Sequence, residues 1–164
     1  MREINKNNNR YFGKKIEYHG EKFDSMREAN FFKKFVEPFN YNYTLHESFR
    51  LHPVIELCNG TLKLRSSSYR PDVVIRDDEG NLLHVIDIKS GFNTQYNIDP
   101  AAALRFKLFA MKYGAPVEVV VPNLKSFRVK IMGTTKKFET VTKYDLNYTI
   151  DDLVNEVMNT DKGD

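Results

Sequence analysis

One cysteine in 164 residues, Cys58, has no partner inside the chain, so an intrachain disulfide framework is excluded. A single thiolate cannot found a cysteine-rich zinc site either, and His19, His46, His52 and His84 are scattered with no metal-like pairing. No stretch approaches the ~18 consecutive apolar residues of a membrane span, and the opening MREINKNNNR has no apolar run of signal-peptide type. The expectation is no membrane association and a reducing, cytoplasmic setting. A glycine-rich phosphate loop is missing, which argues against a nucleotide cofactor. Ser66-Ser67-Ser68 falls in a turn and offers no strained nucleophile elbow.

What is present is apolar and aromatic enough for one packed core. With 41% hydrophobic residues, 12 Phe and 9 Tyr, the chain is not a solvating coil, and its length suits a single domain. The net charge of +3 conceals an uneven distribution. Residues 1–15 carry five basic side chains against Glu3, and residues 100–137 carry eight against Glu118. Residues 138–164 instead carry seven acids against Lys143 and Lys162. Basic blocks on a near-neutral chain fit a polyanionic partner such as nucleic acid, or an ordinary solvated surface.

Residues 1–12 lack periodicity and read as a flexible basic arm, with one domain over 13–164. Short strands flank His19-Gly20, then Ser25 caps a helix expected from Met26 to about Val36, stopping before Pro38. Asn59-Gly60 between apolar runs marks a hairpin. The runs Tyr69–Ile75 and Leu82–Lys89, apolar on both faces, read as a longer-looped hairpin inside a sheet. Asp99-Pro100 opens a helix closed by Gly114, and Val117–Val121 follows as a buried strand, parallel to a neighbour because a helix precedes it. Phe127–Met132 and Phe138–Val141 are expected to pair, and Thr149 to start a last helix whose first turn holds Asp151 and Asp152. The fold class is mixed α/β.

The chemistry concentrates in Pro71-Asp72 and Asp87-Ile88-Lys89. Strand side chains alternate, so Asp87 and Lys89 share a face, and a hairpin folding about residues 78–81 brings Asp72 opposite Asp87 within a residue or two. Two bare carboxylates ~5 Å apart at an effective dielectric of about 20 repel by about 3 kcal/mol. Lys89 neutralises only one of them, and an all-oxygen ligand set suits a hard cation such as Mg²⁺. Glu28 shares a helix face with Phe32 and Phe35, which makes it the candidate third acid; it equally completes a capping box with Ser25.

Glu28 on a helix, Pro71-Asp72, then Asp87-x-Lys89 followed by helix and buried strand, resembles the PD-(D/E)xK nuclease superfamily. More narrowly, Phe23-x-Ser25-x-x-Glu28, Glu47, Tyr69-x-Pro71-Asp72 and Val85-Ile86-Asp87-Ile88-Lys89 are similar to the phage endonuclease I family of Holliday-junction resolvases and to related small phage proteins. The likeness spans about residues 13–122 and leaves 123–164 as a C-terminal extension carrying a short strand pair and a helix. It implies a restriction-endonuclease-like core of helix, antiparallel strands, helix and strand. It also implies Mg²⁺ or Mn²⁺ held by Glu28, Asp72, Asp87 and the Ile88 backbone carbonyl, with Lys89 completing a catalytic set. The activity implied is metal-dependent DNA endonuclease cleavage, of branched DNA or Holliday junctions in phage-type recombination, replication or packaging. The setting implied is a homodimer in the host-cell cytoplasm. Asp87 stands where many members of the superfamily have Glu. Restriction-like, nicking or exonuclease action, or a non-catalytic DNA-binding adaptor on the same fold, are the alternatives.

For DNA contact the candidates are Arg10, Lys14 and Lys15 on the arm, Asn93, Gln95 and Tyr96 in the loop after Lys89, and Arg105 with Lys112 on one face of the following helix. The plainer readings are a polar connection for the loop and a solvated face for the helix.

Overall fold

A computed structural model describes residues 15–92, 98–135 and 138–160. Strands β1 (Ile16–Tyr18) and β2 (Glu21–Phe23) form the first hairpin, turning at His19 and Gly20, both at positive φ. Helix α1 (Met26–Phe31) starts at Ser25, an extended N-cap whose side chain accepts from the Glu28 N–H. The expected helix to Val36 is α-helical only as far as Phe31. A π turn covers Phe32–Val36, and a 3₁₀ turn over Glu37–Phe39 takes up Pro38. The wider π turn lets Phe31, Phe32, Phe35 and Val36 all reach the core.

The main sheet contains β3 (Asn42–Leu45), β8 (Val73–Arg76), β9 (Leu82–Ile88), β10 (Glu118–Pro122), β11 (Phe127–Ile131) and β12 (Val141–Lys143). Across the sheet these six strands lie in the order β12-β11-β10-β9-β8-β3. Pairing is antiparallel except between β9 and β10, which run parallel across α2 (Pro100–Tyr113). Asp99 caps α2 by accepting from the Ala102 N–H, and Gly114 ends it at φ 71, a left-handed position that favours glycine.

The run from Tyr69 to Ile75 divides into two strands. Residues Ser67–Tyr69 form β7, which pairs with β4 (Phe49–His52) outside the main sheet, and the chain enters the main sheet only at Val73. Pro71, between them, has no N–H to give a ladder. Hairpin β5 (Ile55–Leu57) and β6 (Leu62–Leu64) completes this insertion. The C-terminal pair also shifts from expectation. Residues Val141–Lys143, not Phe138–Val141, pair with β11; Phe138 is buried by core packing without a strand partner there.

The sheet separates two apolar clusters. Phe31, Phe32, Phe35, Ile86, Ile88 and Val129 pack on one face with Leu153 and Val157 of α3 (Ile150–Thr160). Val74, Val85 and Val119 meet Phe106 and Phe109 of α2, together with Phe49 and Tyr69 of the small β4–β7 sheet, on the other. No helix among the described residues is long and apolar enough to cross a membrane.

Candidate metal and phosphodiester site

Strand register builds the site on the α2 face. Val73 pairs with Ile86, which sets Asp72 beside Asp87, and the Asp72 N–H donates to the Ile86 carbonyl at 2.9 Å. The strand pair is locked by a side chain as well: the Ile88 N–H donates to Asp72 Oδ2 at 2.6 Å. Asp87, 5% exposed, accepts from the Tyr69 hydroxyl on Oδ2 at 2.9 Å. Its other oxygen, Oδ1, is buried. The Lys89 ammonium lies in ion-pair contact with that oxygen and supplies its counter-charge.

Burial above all, then the charges of Asp87 and Glu28, push the Asp72 carboxyl well above the ordinary aspartate range, against the opposing pull of the Ile88 N–H and Lys89. Burial works to lower Lys89, but Asp87, with Asp72 and Glu28 behind it, outweighs that and leaves the ammonium raised. Lys89 is therefore a cation at neutral pH. Burial and Asp87 likewise raise the Tyr69 hydroxyl far above its usual value, so it stays a hydrogen-bond donor that orients Asp87.

Glu28 combines both of its readings. It closes the capping box, Oε1 accepting from Ser25 Oγ at 2.8 Å and Oε2 from the Asp24 N–H at 2.9 Å, and it is buried near enough to Asp72 to raise it. Three acids, Asp72, Asp87 and Glu28, supply the all-oxygen ligand chemistry that fits a hard divalent cation.

The Asp72 result carries a sign. Between the ordinary aspartate range and the raised value, the folded state holds a proton that the unfolded state releases, so stability falls as pH rises across that window. Asp72→Asn keeps an acceptor for the Ile88 N–H and removes the repulsion. In EDTA at neutral pH it should stabilise the fold by about 1–2 kcal/mol, less than the bare-pair repulsion because Lys89 screens part of it. Urea melts from pH 5 to 8 check this, and a wild-type profile no steeper than the variant's would refute it.

Asp72 and Asp87, but not Glu28, line a cavity of about 340 Å³ whose wall also includes Tyr69, Arg70, Lys89 and Arg105. Arg105 thus lines the same cavity as the acidic pair. Arg70, which no sequence signal selected, lines it too. Its Nε–H donates to the His46 carbonyl at 3.0 Å. Lys112 lies elsewhere, its ammonium donating to the Arg50 carbonyl at 2.6 Å. Lys15 is exposed, 4.0 Å from Asp24. Glu47 is engaged by Arg76 at 2.8 Å, which with Thr44 lowers its carboxyl against the effect of burial. Arg10, Lys14, Asn93, Gln95 and Tyr96 lie outside the described residues.

Sequence reasoning passed over His46. One of its ring nitrogens lies within 4.8 Å of a carboxylate oxygen of Asp24 and of Glu28, and those two oxygens are within 4.8 Å of each other. Separations of 18 and 22 residues along the chain give no motif, so only the fold could reveal this group.

A family model described as "Protein of unknown function (DUF1064)" matches residues 8–127. No curated protein and no solved structure matches the chain.

Proposed function

As the chain belongs to the DUF1064 family, whose description names no activity, function must be argued from the site, and we propose a divalent-metal-dependent DNA endonuclease. The observation that carries this reading is the convergence of Asp72, Asp87 and Lys89 on a cavity bordered by Arg70 and Arg105. Paired acids beside cations are what hydrolysis of an anionic diester requires. We further propose a restriction-endonuclease-like core formed by α1, the antiparallel β3-β8-β9 set, α2 and the parallel strand β10.

In this reading Asp72, Asp87, Glu28 and the Ile88 carbonyl hold Mg²⁺ or Mn²⁺, with Tyr69 fixing the orientation of Asp87. The ion supplies Lewis acidity and a more acidic water. Arg70 and Arg105, on the wall of the same cavity, hold phosphate oxygens. Water adds to phosphorus, one P–O bond breaks, and the ends are a phosphate monoester and a hydroxyl. Lys89, held as an ammonium, stabilises the negative charge that develops on the phosphate oxygens. The substrate proposed is branched DNA, four-way junctions first, and the acting species a homodimer, because resolving a symmetric junction needs two sites.

The test is a cleavage panel of linear, single-stranded, flapped and four-way DNA with Mg²⁺ or Mn²⁺. Preferential cutting of the four-way form is expected. Equal cutting of all forms removes the junction proposal and keeps the nuclease. Binding without metal-dependent cutting of any form identifies a DNA-binding adaptor instead.

A further inference from the structure

We propose that Asp24, Glu28 and His46 form a second cation site, selective for a first-row transition-metal ion such as Mn²⁺ over Mg²⁺. Asp24 follows β2, Glu28 lies in the first turn of α1, and His46 directly follows β3. Each offers a ligand-type atom within 4.8 Å of the other two. Ligands about 2.1 Å from a common ion stand roughly 3–4 Å apart, so a small contraction brings the three into coordination.

The independent observation is on the histidine. His46 Nε2 is buried and has no hydrogen-bond partner. Leaving such a nitrogen unsatisfied costs on the order of 1–3 kcal/mol, and it demands an explanation. A metal ion is a partner that an imidazole beside two carboxylates would accept. Both Glu28 oxygens already receive one hydrogen bond each, from Ser25 and from the Asp24 N–H. A carboxylate oxygen accepts more than one, so Glu28 retains capacity while those bonds fix its direction.

The backbone that carries the imidazole is held in place. His46 sits at φ 51, its N–H donates to the Asp72 carbonyl at 3.3 Å, and its carbonyl accepts from Arg70 Nε. The second site is therefore tied through backbone to the strand that carries Asp72, and it shares Glu28 with the acids there. Imidazole with two carboxylates suits Mn²⁺ and later first-row ions, whereas Mg²⁺ favours oxygen and water and dehydrates reluctantly. Glu28, as the common ligand, couples occupancy of the two sites. That consequence rests on the nuclease reading, but the existence of the His46 site does not.

The experiment uses the full chain, labelled with ¹⁵N, with diamagnetic Zn²⁺ followed through the His46 ring nitrogens by NMR and Mn²⁺ affinity followed by EPR of free Mn²⁺. Zn²⁺ should shift one His46 ring nitrogen by direct coordination, and millimolar Mg²⁺ should not reverse the shift. His46→Asn, which tolerates positive φ, should weaken one class of Mn²⁺ binding about tenfold or more. Asp87→Asn should retain the ring-nitrogen shift, with affinity altered only through the shared Glu28. His46 ring nitrogens unmoved by Zn²⁺, or Mn²⁺ titration of His46→Asn indistinguishable from wild type, overturns the proposal while leaving the nuclease reading intact. A ring-nitrogen shift with no class of Mn²⁺ binding that Asp87→Asn weakens sustains the second site and counts against the nuclease reading.

Discussion

Asp87→Asn is expected to lower metal-dependent DNA cleavage by about 10²–10³-fold, the scale on which loss of one positioned electrostatic group acts in a buried site. The substitution is nearly isosteric. An amide oxygen still accepts from the Tyr69 hydroxyl, which donates to Asp87 Oδ2 at 2.9 Å, so the side chain should remain in place on β9. What disappears is the negative charge, including that on Oδ1, the buried oxygen in ion-pair contact with the Lys89 ammonium. Cation affinity falls with that charge, and Lys89 loses the carboxylate chiefly responsible for raising it. DNA affinity should hold or increase, because a negative charge leaves a cavity that Arg70 and Arg105 make attractive to phosphate. Cleavage assays and DNA-binding titrations at fixed salt check both halves. Full Mg²⁺-dependent cutting by the purified variant would remove Asp87 from the site.

The parts of this site that the sequence exposed are those governed by local rules. Period-two alternation put Asp87 and Lys89 on one face, and hairpin register put Asp72 beside Asp87, because both follow from backbone geometry. Asp99-Pro100 and Gly114 delimit α2 for equally local reasons, a side-chain cap and a left-handed residue. Features decided by packing were harder to read. Phe138 has the apolar character of a strand residue, yet it fills the core while the ladder begins at Val141. The π turn after Phe31 answers to the crowding of four large side chains against the sheet, which no residue pair announces. His46 and Arg70 are non-local in the same sense. A strand end and a loop after β7 bring them to the acids, and neither spacing nor composition marks them.

The opposite face of β9 yields the largest expected effect on stability. His84 and Glu118 are 3% and 0% exposed, His84 Nδ1 lies 2.9 Å from Glu118 Oε1, and the Tyr148 hydroxyl donates to Glu118 Oε2 at 2.6 Å. His84 Nε2 faces the Leu146 carbonyl at 3.1 Å. A carbonyl only accepts, so that nitrogen carries the proton. Glu118 is thus the hub that fastens the segment at Leu146 and Tyr148, and with it α3, to β9 and β10. Glu118→Ala leaves the histidine nitrogen and the tyrosine hydroxyl buried and unpaired, and should cost about 3–5 kcal/mol, against a total stability of about 5–15 kcal/mol for domains of this kind. Tyr148→Phe removes one bond and should cost about 1.5–3 kcal/mol. Adding it to Glu118→Ala should cost less than the sum, because the hydroxyl has by then already lost its partner. Urea denaturation of the single and double variants measures these differences. Amide exchange should rise in α3 before it rises in β9, whose central place between β8 and β10 does not depend on the network. Asp87 points away from Glu118, so any cleavage measured per folded molecule should survive the substitution. A loss below about 1 kcal/mol in Glu118→Ala would refute the hub assignment.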